Sequence, residues 1–533
     1  MKKFLILTLT LVLLLVLAGC GGKTIAGSGT EADPYRIGTA AQLRQVASWI
    51  NSKETHKDYY QAHYLITADI KMSGTWKPIG TYSVGFNGVL DGDGHTISGL
   101  KVSGSKRDTL AFIAYLNNGT VKNLTISDST FTARGDNSAN VAAVVNKCFK
   151  GTIENCHTTG SVTVKGNGQT AGICAQQNSD SLLTDCTNAA TVTAKSAVGN
   201  ASGIVAYTSS PIINCSNSGT ISSDADAAGI ACNAGGGLSG CTNTGTITAG
   251  KGYAAGIVCS FGDGALNSSE NNASVTLENC ENSGSVTSKE EIAGGIAASC
   301  CTGILRNCVN SGAINGAQYS GGIFAYFQPS AFGTAAEVFT VSGCSNSGSV
   351  TVTAASGNEP VGGICGQIYG GSNTAFLFEN CTNTGTILTS GQKNVAGNHG
   401  SAGGLIGSCR VKILELVSCS NSGSVTGVRE AGGLIGSMTV VDVDNREGTL
   451  FLAENCENSG DVYVANAGGL TSELDAGGMV GSNGTYRSSE AGWVSFETET
   501  FTGCTNTGTL SGDTDGPALR VHETCGTYMS DLK

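Results

Sequence analysis

Leu277-Glu278-Asn279-Cys280-Glu281-Asn282-Ser283-Gly284-Ser285-Val286-Thr287, answered by Ala293-Gly294-Gly295-Ile296-Ala297, states a phrase that the chain repeats eleven times. The copies are keyed on Cys156, Cys186, Cys215, Cys241, Cys280, Cys308, Cys344, Cys381, Cys419, Cys456 and Cys504, at spacings of 26 to 48 residues. A fixed phrase at a variable period describes one supersecondary unit, stacked, with loops of free length. Three residues before each cysteine the side chain is apolar, from Ile153 through Leu277 to Phe501. The next is mostly polar, as at Glu154, Glu278, Arg306, Glu379 and Glu454. That is the in/out alternation of a strand. The residue directly before the cysteine is Asn, Asp or Gly in ten copies, with Ser418 the exception, and these types accept positive φ. The strand therefore bends there and returns the cysteine to the inside. Asn two places after the cysteine (Thr158 excepted) and Gly four places after (Ala190 excepted) read as a turn. Val, Ile or Leu six places after opens a second strand, and segments such as Gly172-Ile173, Gly229-Ile230, Gly363-Ile364, Gly433-Leu434 and Gly478-Met479 form a third.

Three short strands per copy with shared columns stack as a parallel β-solenoid, and no copy holds ten residues of helical period. At about 4.8 Å per coil, the eleven coils make a rod section of about 50 Å. The expected fold is all-β, a single-stranded right-handed parallel β-helix, its hand that of parallel crossovers in general. Thr39-Ala40-Ala41-Gln42 fits a capping box, and Leu43, Val46, Ala47 and Ile50 share one helical face. This predicts an N-terminal helix that caps the open edge of the first coil. The chain divides into a leader at 1–20, a tether at 21–33, a cap with its helix at 34–63, irregular first coils at 64–140, the eleven repeats at 141–513 and a C-terminal closure at 514–533.

Only 13% of the residues are charged, while 78 of 533 are Gly, as turns and three inward columns per coil require. The formal charge of −12 makes an acidic surface, which argues against nucleic acid and anionic lipid as partners. Met1-Lys2-Lys3 followed by the apolar run Phe4 to Leu17 reads as a secretory leader, short for a membrane span. Leu17-Ala18-Gly19-Cys20 resembles the lipobox of bacterial lipoproteins. That resemblance implies cleavage before Cys20, a lipid on its sulfur, and a membrane-anchored, extracytoplasmic or cell-surface location. The other twenty cysteines admit two readings. Stacked positions about 4.8 Å apart permit disulfides, while a small polarizable residue packed on itself suits reduced thiols, the favoured reading. CxxC pairs, the usual metal signature, are absent.

Gly27 through Tyr35, the Asp91-to-Gly99 stretch and the Gly-Gly-Ile columns resemble bacterial surface proteins with GLUG-type repeats. Such β-helices also accompany the zinc metallopeptidases that cleave immunoglobulin A. The resemblance implies fold and export. The peptidase activity does not carry over, because none of His56, His63, His95, His157, His399 and His522 lies in an HExxH motif.

Asp91, Asp93 and His95 are candidates for an acid/base or cation-binding group, although the interleaved Gly92 and Gly94 also mark a tight corner. Asp442, Asp444 and Glu447 are candidate Ca²⁺ ligands, with Gly448 one place later than a calcium loop wants. Calcium is the one cofactor so suggested. Tyr319, Tyr326, Phe327, Phe332, Tyr369 and Phe376 are candidate stacking surfaces for sugars or core residues at coil corners. The functional expectation is a non-enzymatic, adhesin-like lipoprotein whose partner is a host or environmental glycan or a surface protein. The alternative is a β-helical polysaccharide lyase or glycoside hydrolase, marked by stacked carboxylates with Arg or Lys on one strand face. The outward column Glu278, Arg306, Glu379 is interrupted by Ser342 and followed by Val417.

Overall fold

The computed structural model describes residues 25–105, 110–135, 139–178, 180–262, 275–301, 303–327, 337–353, 359–371, 374–389, 400–441, 447–466, 474–483, 485–488, 492–494, 496–513 and 519–522. Cys20 lies outside them. Three long parallel sheets run the length of the chain, and each strand pairs with its counterpart one coil on. The chain is a parallel β-helix. Columns are held in register: Leu277 pairs with Leu305, Leu305 with Val341 and Val341 with Phe378. In the first sheet the described residues form fifteen rungs, from Tyr35–Ile37 to Thr498–Thr502, the last eleven being the repeats. The third sheet has twelve, from Ile113–Asn117 to Val480–Asn483. Every one of the eleven residues before the key cysteines has positive φ, between 48° and 64°, Ser418 at 52° included. The bend is therefore a property of the position, and the side chain there must tolerate the left-handed region.

A helix, α1, spans Ala40–Asn51. The Thr39 hydroxyl accepts from the Gln42 amide, the Gln42 side chain accepts from Gly38, and Leu43, Val46, Ala47 and Ile50 are buried. Asn51 donates to the Pro78 carbonyl and accepts from Gly80, both at 2.8 Å, and so fastens α1 over the segment that leads to the next coil. One detail differs from expectation. Tyr35–Ile37 already pairs in parallel with Tyr64–Ile66, so α1 is an excursion between the first two rungs rather than a cap ahead of the rod.

The Asn two places after each cysteine is not in a turn. The strand continues past the bend, so cysteine and Asn both face inward with one outward residue between them. From Asn188 to Asn506 these side chains form a ladder. Each Nδ2 donates to the Oδ1 of the Asn one coil on at 2.7–2.8 Å. Its second N–H reaches the carbonyl two residues on at 2.9–3.3 Å. The Gly of each Gly-Ile pair lies against this ladder: a Cβ on Gly295 would meet Asn310 Cγ at 2.5 Å and the Gly322 carbonyl closer still. Thr158, where the column lacks Asn, begins the ladder by donating to Asn188 Oδ1 at 2.7 Å.

The key cysteines form the adjoining column, buried except for half-buried Cys504. Each Sγ lies 3.2–3.6 Å from the carbonyl two residues earlier. Among the described residues no two cysteines are joined by a disulfide. On the third sheet, burial pushes the Cys365 and Cys409 thiols up, away from the reactive thiolate.

Candidate functional site

The second sheet meets the third through the Ala-Gly-Gly-Ile segment. Ala227, Ala254 and Ala293 face the core, so the residues on either side of each face outward. The corner closes so tightly that only small residues fit its outer side. A Cβ on Gly407 would meet Val361 N at 2.6 Å. Ala228, Cys232, Ala255, Cys259, Ala298 and Ala325 make a separate buried cluster there with Ile292, covered by half-buried Tyr253, Tyr319 and Tyr326. Along this corner, the side groove of the rod, the outward faces of the two sheets thus close over small residues that are themselves buried.

One wall is the column that precedes the Ala-Gly-Gly segment. In its middle part stand Asp226, Tyr253, Ile292 and Tyr319, one per coil, as the register of the following alanines requires. Tyr319 meets Tyr326 of the opposite wall with ring centroids 5.4 Å apart and tilted by 32°. Tyr253 donates its backbone N–H to Asp226 Oδ1 at 2.9 Å. The charges bearing on these rings are carboxylates. Burial, then Glu291 and Asp226, push the Tyr253 phenol up; burial, then Glu359 and Glu291, do the same to Tyr319. Burial also raises Glu291, helped by Glu290, Glu359 and Asp226, and burial raises Asp226 against the Tyr253 N–H.

Further along the same wall Ser401, Glu430, Asp475 and Arg520 stack in register. Ser401 Oγ donates to Glu430 Oε2 at 2.9 Å, and Glu430 and Asp475 are each only 6% exposed. This is the stacked group of carboxylates with Arg that marks the enzymatic alternative, on the second sheet and not in the Glu278–Arg306 column of the first. The available signal was a charged residue just before Ala-Gly-Gly, at Glu430-Ala431-Gly432-Gly433 and Asp475-Ala476-Gly477-Gly478.

The candidates named from sequence sit elsewhere. Asp91 ends a strand; its Oδ1 accepts from the Asp93 amide at 2.9 Å and from Asn123 Nδ2 at 3.0 Å, and its Oδ2 lies 3.3 Å from Lys122 Nζ. Burial opposes its charge, but Asn123, the Asp93 N–H and Lys122 together hold the carboxyl below its ordinary value. Asp93 occupies positive φ (49°). His95 turns to Asp69 instead, Nδ1 to Oδ1 at 3.3 Å, and the Thr96 N–H and then His95 hold Asp69 low. The corner therefore carries two separate pairs, Asp91–Lys122 and Asp69–His95. Asp442 and Asp444 lie outside the described residues; Glu447 is exposed, and beside it Gly448 donates to Glu497 Oε2 at 2.6 Å. Of the aromatic candidates, Phe327 and Phe376 are core and Phe332 lies outside the described residues. Tyr369 is 43% exposed, with the Arg410 guanidinium 5.3 Å from its ring centre. Glu278 and Arg306 pair at 3.9 Å on the first sheet. A surface hollow of 280 Å³ beside α1 is lined by Arg44, Asn51, Trp76 and Lys77 among others, but Arg44 is spent on the Thr75 carbonyl and Asn51 on Pro78 and Gly80. Among the described residues no helix is long and apolar enough to cross a membrane.

No family model matches the chain. It is 32% identical to "Halomucin" of Haloquadratum walsbyi over 173 residues, 30% of this chain and 2% of that protein. It is 27% identical to a "Putative Gly-rich membrane protein" of Evansella cellulosilytica over 117 residues, 20% of this chain and 13% of that one. The chain thus spans a small fraction of the curated relatives it matches. A solved structure from Bacteroides ovatus, described as "a putative immunoglobulin A1 protease", aligns over 71% of this chain and 85% of its own, at 18% identity and a TM-score of 0.27.

Proposed function

We propose that the chain is a lipid-anchored scaffold of the bacterial cell envelope that binds glycans along its side groove without transforming them. The observation that carries this reading is the groove itself. Half-buried Tyr253, Tyr319 and Tyr326 line it, packed over small residues that are themselves buried, and each keeps part of its amphipathic side chain at the surface, as a sugar-binding face requires. An envelope location is supported by the names of the two partial relatives, and the lipid anchor by Leu17-Ala18-Gly19-Cys20. Membership among GLUG-repeat surface proteins belongs to the same proposal and rests on the motifs quoted above. The test is a glycan array probed with the soluble 21–533 fragment: selective binding is expected, and a blank array would end the proposal.

The buried stack at Ser401, Glu430, Asp475 and Arg520 favours a second reading, a glycoside hydrolase or lyase. Glu430 and Asp475 occupy register positions on adjacent coils, and a pair of carboxylates is what such hydrolases use. Their burial weighs against it, since substrate must reach both carboxyl groups. Release of reducing ends or unsaturated sugars, abolished by Glu430→Gln, would establish this second reading in place of the first.

A further inference from the structure

Apart from the groove and independent of it, we infer that the hollow beside α1 is a binding site for a single sugar unit that carries a carboxylate. The hollow measures 280 Å³, a little below the usual range of small-molecule sites, roughly 300–1,000 Å³. It therefore suits one sugar ring and excludes a folded partner. The chain bears a net charge of −12, yet the side chains that line this hollow include Arg44 and Lys77 and no carboxylate. Among the described residues neither cation is in an ion pair. Lys53 and Glu54, next along the chain, are exposed and offset each other.

Arg44 is held in place by its surroundings. The two carbonyls that fix it, Thr75 at 2.8 Å from Nη1 and Ser73 against Nη2, take one N–H from each terminal nitrogen, so three of its five donors remain. Its guanidinium carbon lies 6.0 Å from the centre of the Trp76 ring. Trp76 is 2% exposed and donates its indole N–H to the Phe112 carbonyl at 3.0 Å, so this support is fixed too. One wall is α1, where Asn51 is tied to Pro78 and Gly80. A guanidinium restrained in this way has lost its freedom before any ligand arrives, and binding need not order it. Its planar fork matches a carboxylate with parallel hydrogen bonds, and the Lys77 ammonium adds a second charge. The Ser48 and Ser52 hydroxyls line the same hollow and can donate to or accept from ring hydroxyls. A neutral sugar finds the hydroxyl contacts alone, and a small inorganic anion finds the cations alone.

The experiment titrates the full-length protein, in non-ionic detergent at neutral pH and low salt, calorimetrically with sodium galacturonate, with galactose and with sodium sulfate. Galacturonate is expected to bind at least about tenfold more tightly than galactose, as one charge-assisted pair with a guanidinium gives. Added sodium chloride should erode that preference. Sulfate should displace galacturonate only weakly, because it makes none of the hydroxyl contacts; sulfate that binds as tightly as galacturonate would overturn the sugar assignment. Lys77→Gln, at an exposed position, should weaken galacturonate severalfold while leaving galactose and the Tm unchanged. Arg44→Lys keeps a charge but loses the fork, and should cost galacturonate about tenfold. Equal affinity for galacturonate and galactose, or galacturonate affinity unmoved by both variants, overturns the inference. Neither variant should alter the binding of neutral glycans on the array, so failure here leaves the reading of the groove standing.

Discussion

Asn310→Ala tests the ladder at its middle. Asn310 donates to Gly312 at 3.0 Å and to Asn346 at 2.7 Å, and it accepts from Asn282 at 2.7 Å. All three partners are buried. Truncation removes three hydrogen bonds and leaves buried groups without them, at about 1–3 kcal/mol for each group not rescued. Some relaxation is available, since Asn282 keeps its bond to Gly284. A total of roughly 3–6 kcal/mol is expected on this reckoning. Asn506→Ala is the internal control. Asn506 is only half-buried and makes one bond along the ladder and one to Gly508 at 3.3 Å, so its loss should cost about 1 kcal/mol. Asn310→Asp has nearly the same shape, yet it turns a donor into an acceptor facing two oxygens in a dry site. It should be worse than alanine. Chemical unfolding gives the ranking, and amide exchange over 276–288 and 304–316 shows where protection is lost, because coils of a solenoid can open separately. Equal costs at Asn310 and Asn506, or an aspartate milder than the alanine, would refute the reasoning.

Asn279 sits at φ 53°, so Asn279→Val should cost about 1–3 kcal/mol in backbone strain. Glu278→Val loses only a half-exposed pair with Arg306 at 3.9 Å, worth less than about 1 kcal/mol; equal shifts in Tm would reject the bend assignment. Cys280→Ala and Cys280→Val should each cost about 1 kcal/mol if the column is thiol, and alkylating the denatured, unreduced protein should then label most of its cysteines by mass. Asp91 is held below its ordinary value, so its contribution is complete above about pH 4 and is lost as pH falls through the lowered value. The Tm gap between wild type and Asp91→Asn should close in acid, and a gap constant down to pH 2 counts against the pairing. Cys20→Ala should release the protein from the detergent phase, since a single lipid-bearing sulfur supplies the anchor; unchanged partition rejects it.

Much of the coil was legible because its constraints are local. A bend that needs positive φ selects Asn, Asp or Gly at one place, and all eleven bends fall there. The face of α1 was legible for the same reason. What composition concealed was direction: Asn two places after cysteine suits a turn as well as a buried amide, and only the stacking of coils shows that it hydrogen-bonds along the axis. The two exceptions noted in the columns, Thr158 and Ala190, belong together. The Ala190 amide lies 3.3 Å from Thr158 Oγ1, where the ladder starts. In the later coils the equivalent glycine abuts the preceding coil: a Cβ on Gly284 would stand 2.0 Å from the Gly245 carbonyl and 2.8 Å from Asn243 Nδ2. Ala190 follows the one coil that lacks that Asn and whose glycine, Gly160, turns to positive φ (64°), and it carries a methyl group. Glu430 and Asp475 do not stand out in the sequence, because a charged residue before Ala-Gly-Gly looks like loop until the register stacks it beside its neighbour.

The same reasoning indicates where this fold leaves room for chemistry. The inward columns are filled by cysteine, asparagine and aliphatic side chains that must match their neighbours one coil away. The corner between second and third sheets is confined to Gly, Ala, Ser or Cys by backbone approach, as at Gly407. One column beside it escapes both limits. Reading along it gives Asp226, Tyr253, Ile292, Tyr319, Pro360, Ser401, Glu430, Asp475 and Arg520, every chemical class in nine coils, flanked by alanines and glycines that hardly change. A column released from core packing but held in a concave wall can diversify coil by coil without disturbing the stack. Ile292, Ser401, Glu430 and Asp475 are buried and serve the stack itself; under the proposed binding role the half-buried members, Asp226, Tyr253, Tyr319 and Arg520, would each meet a different part of a long ligand.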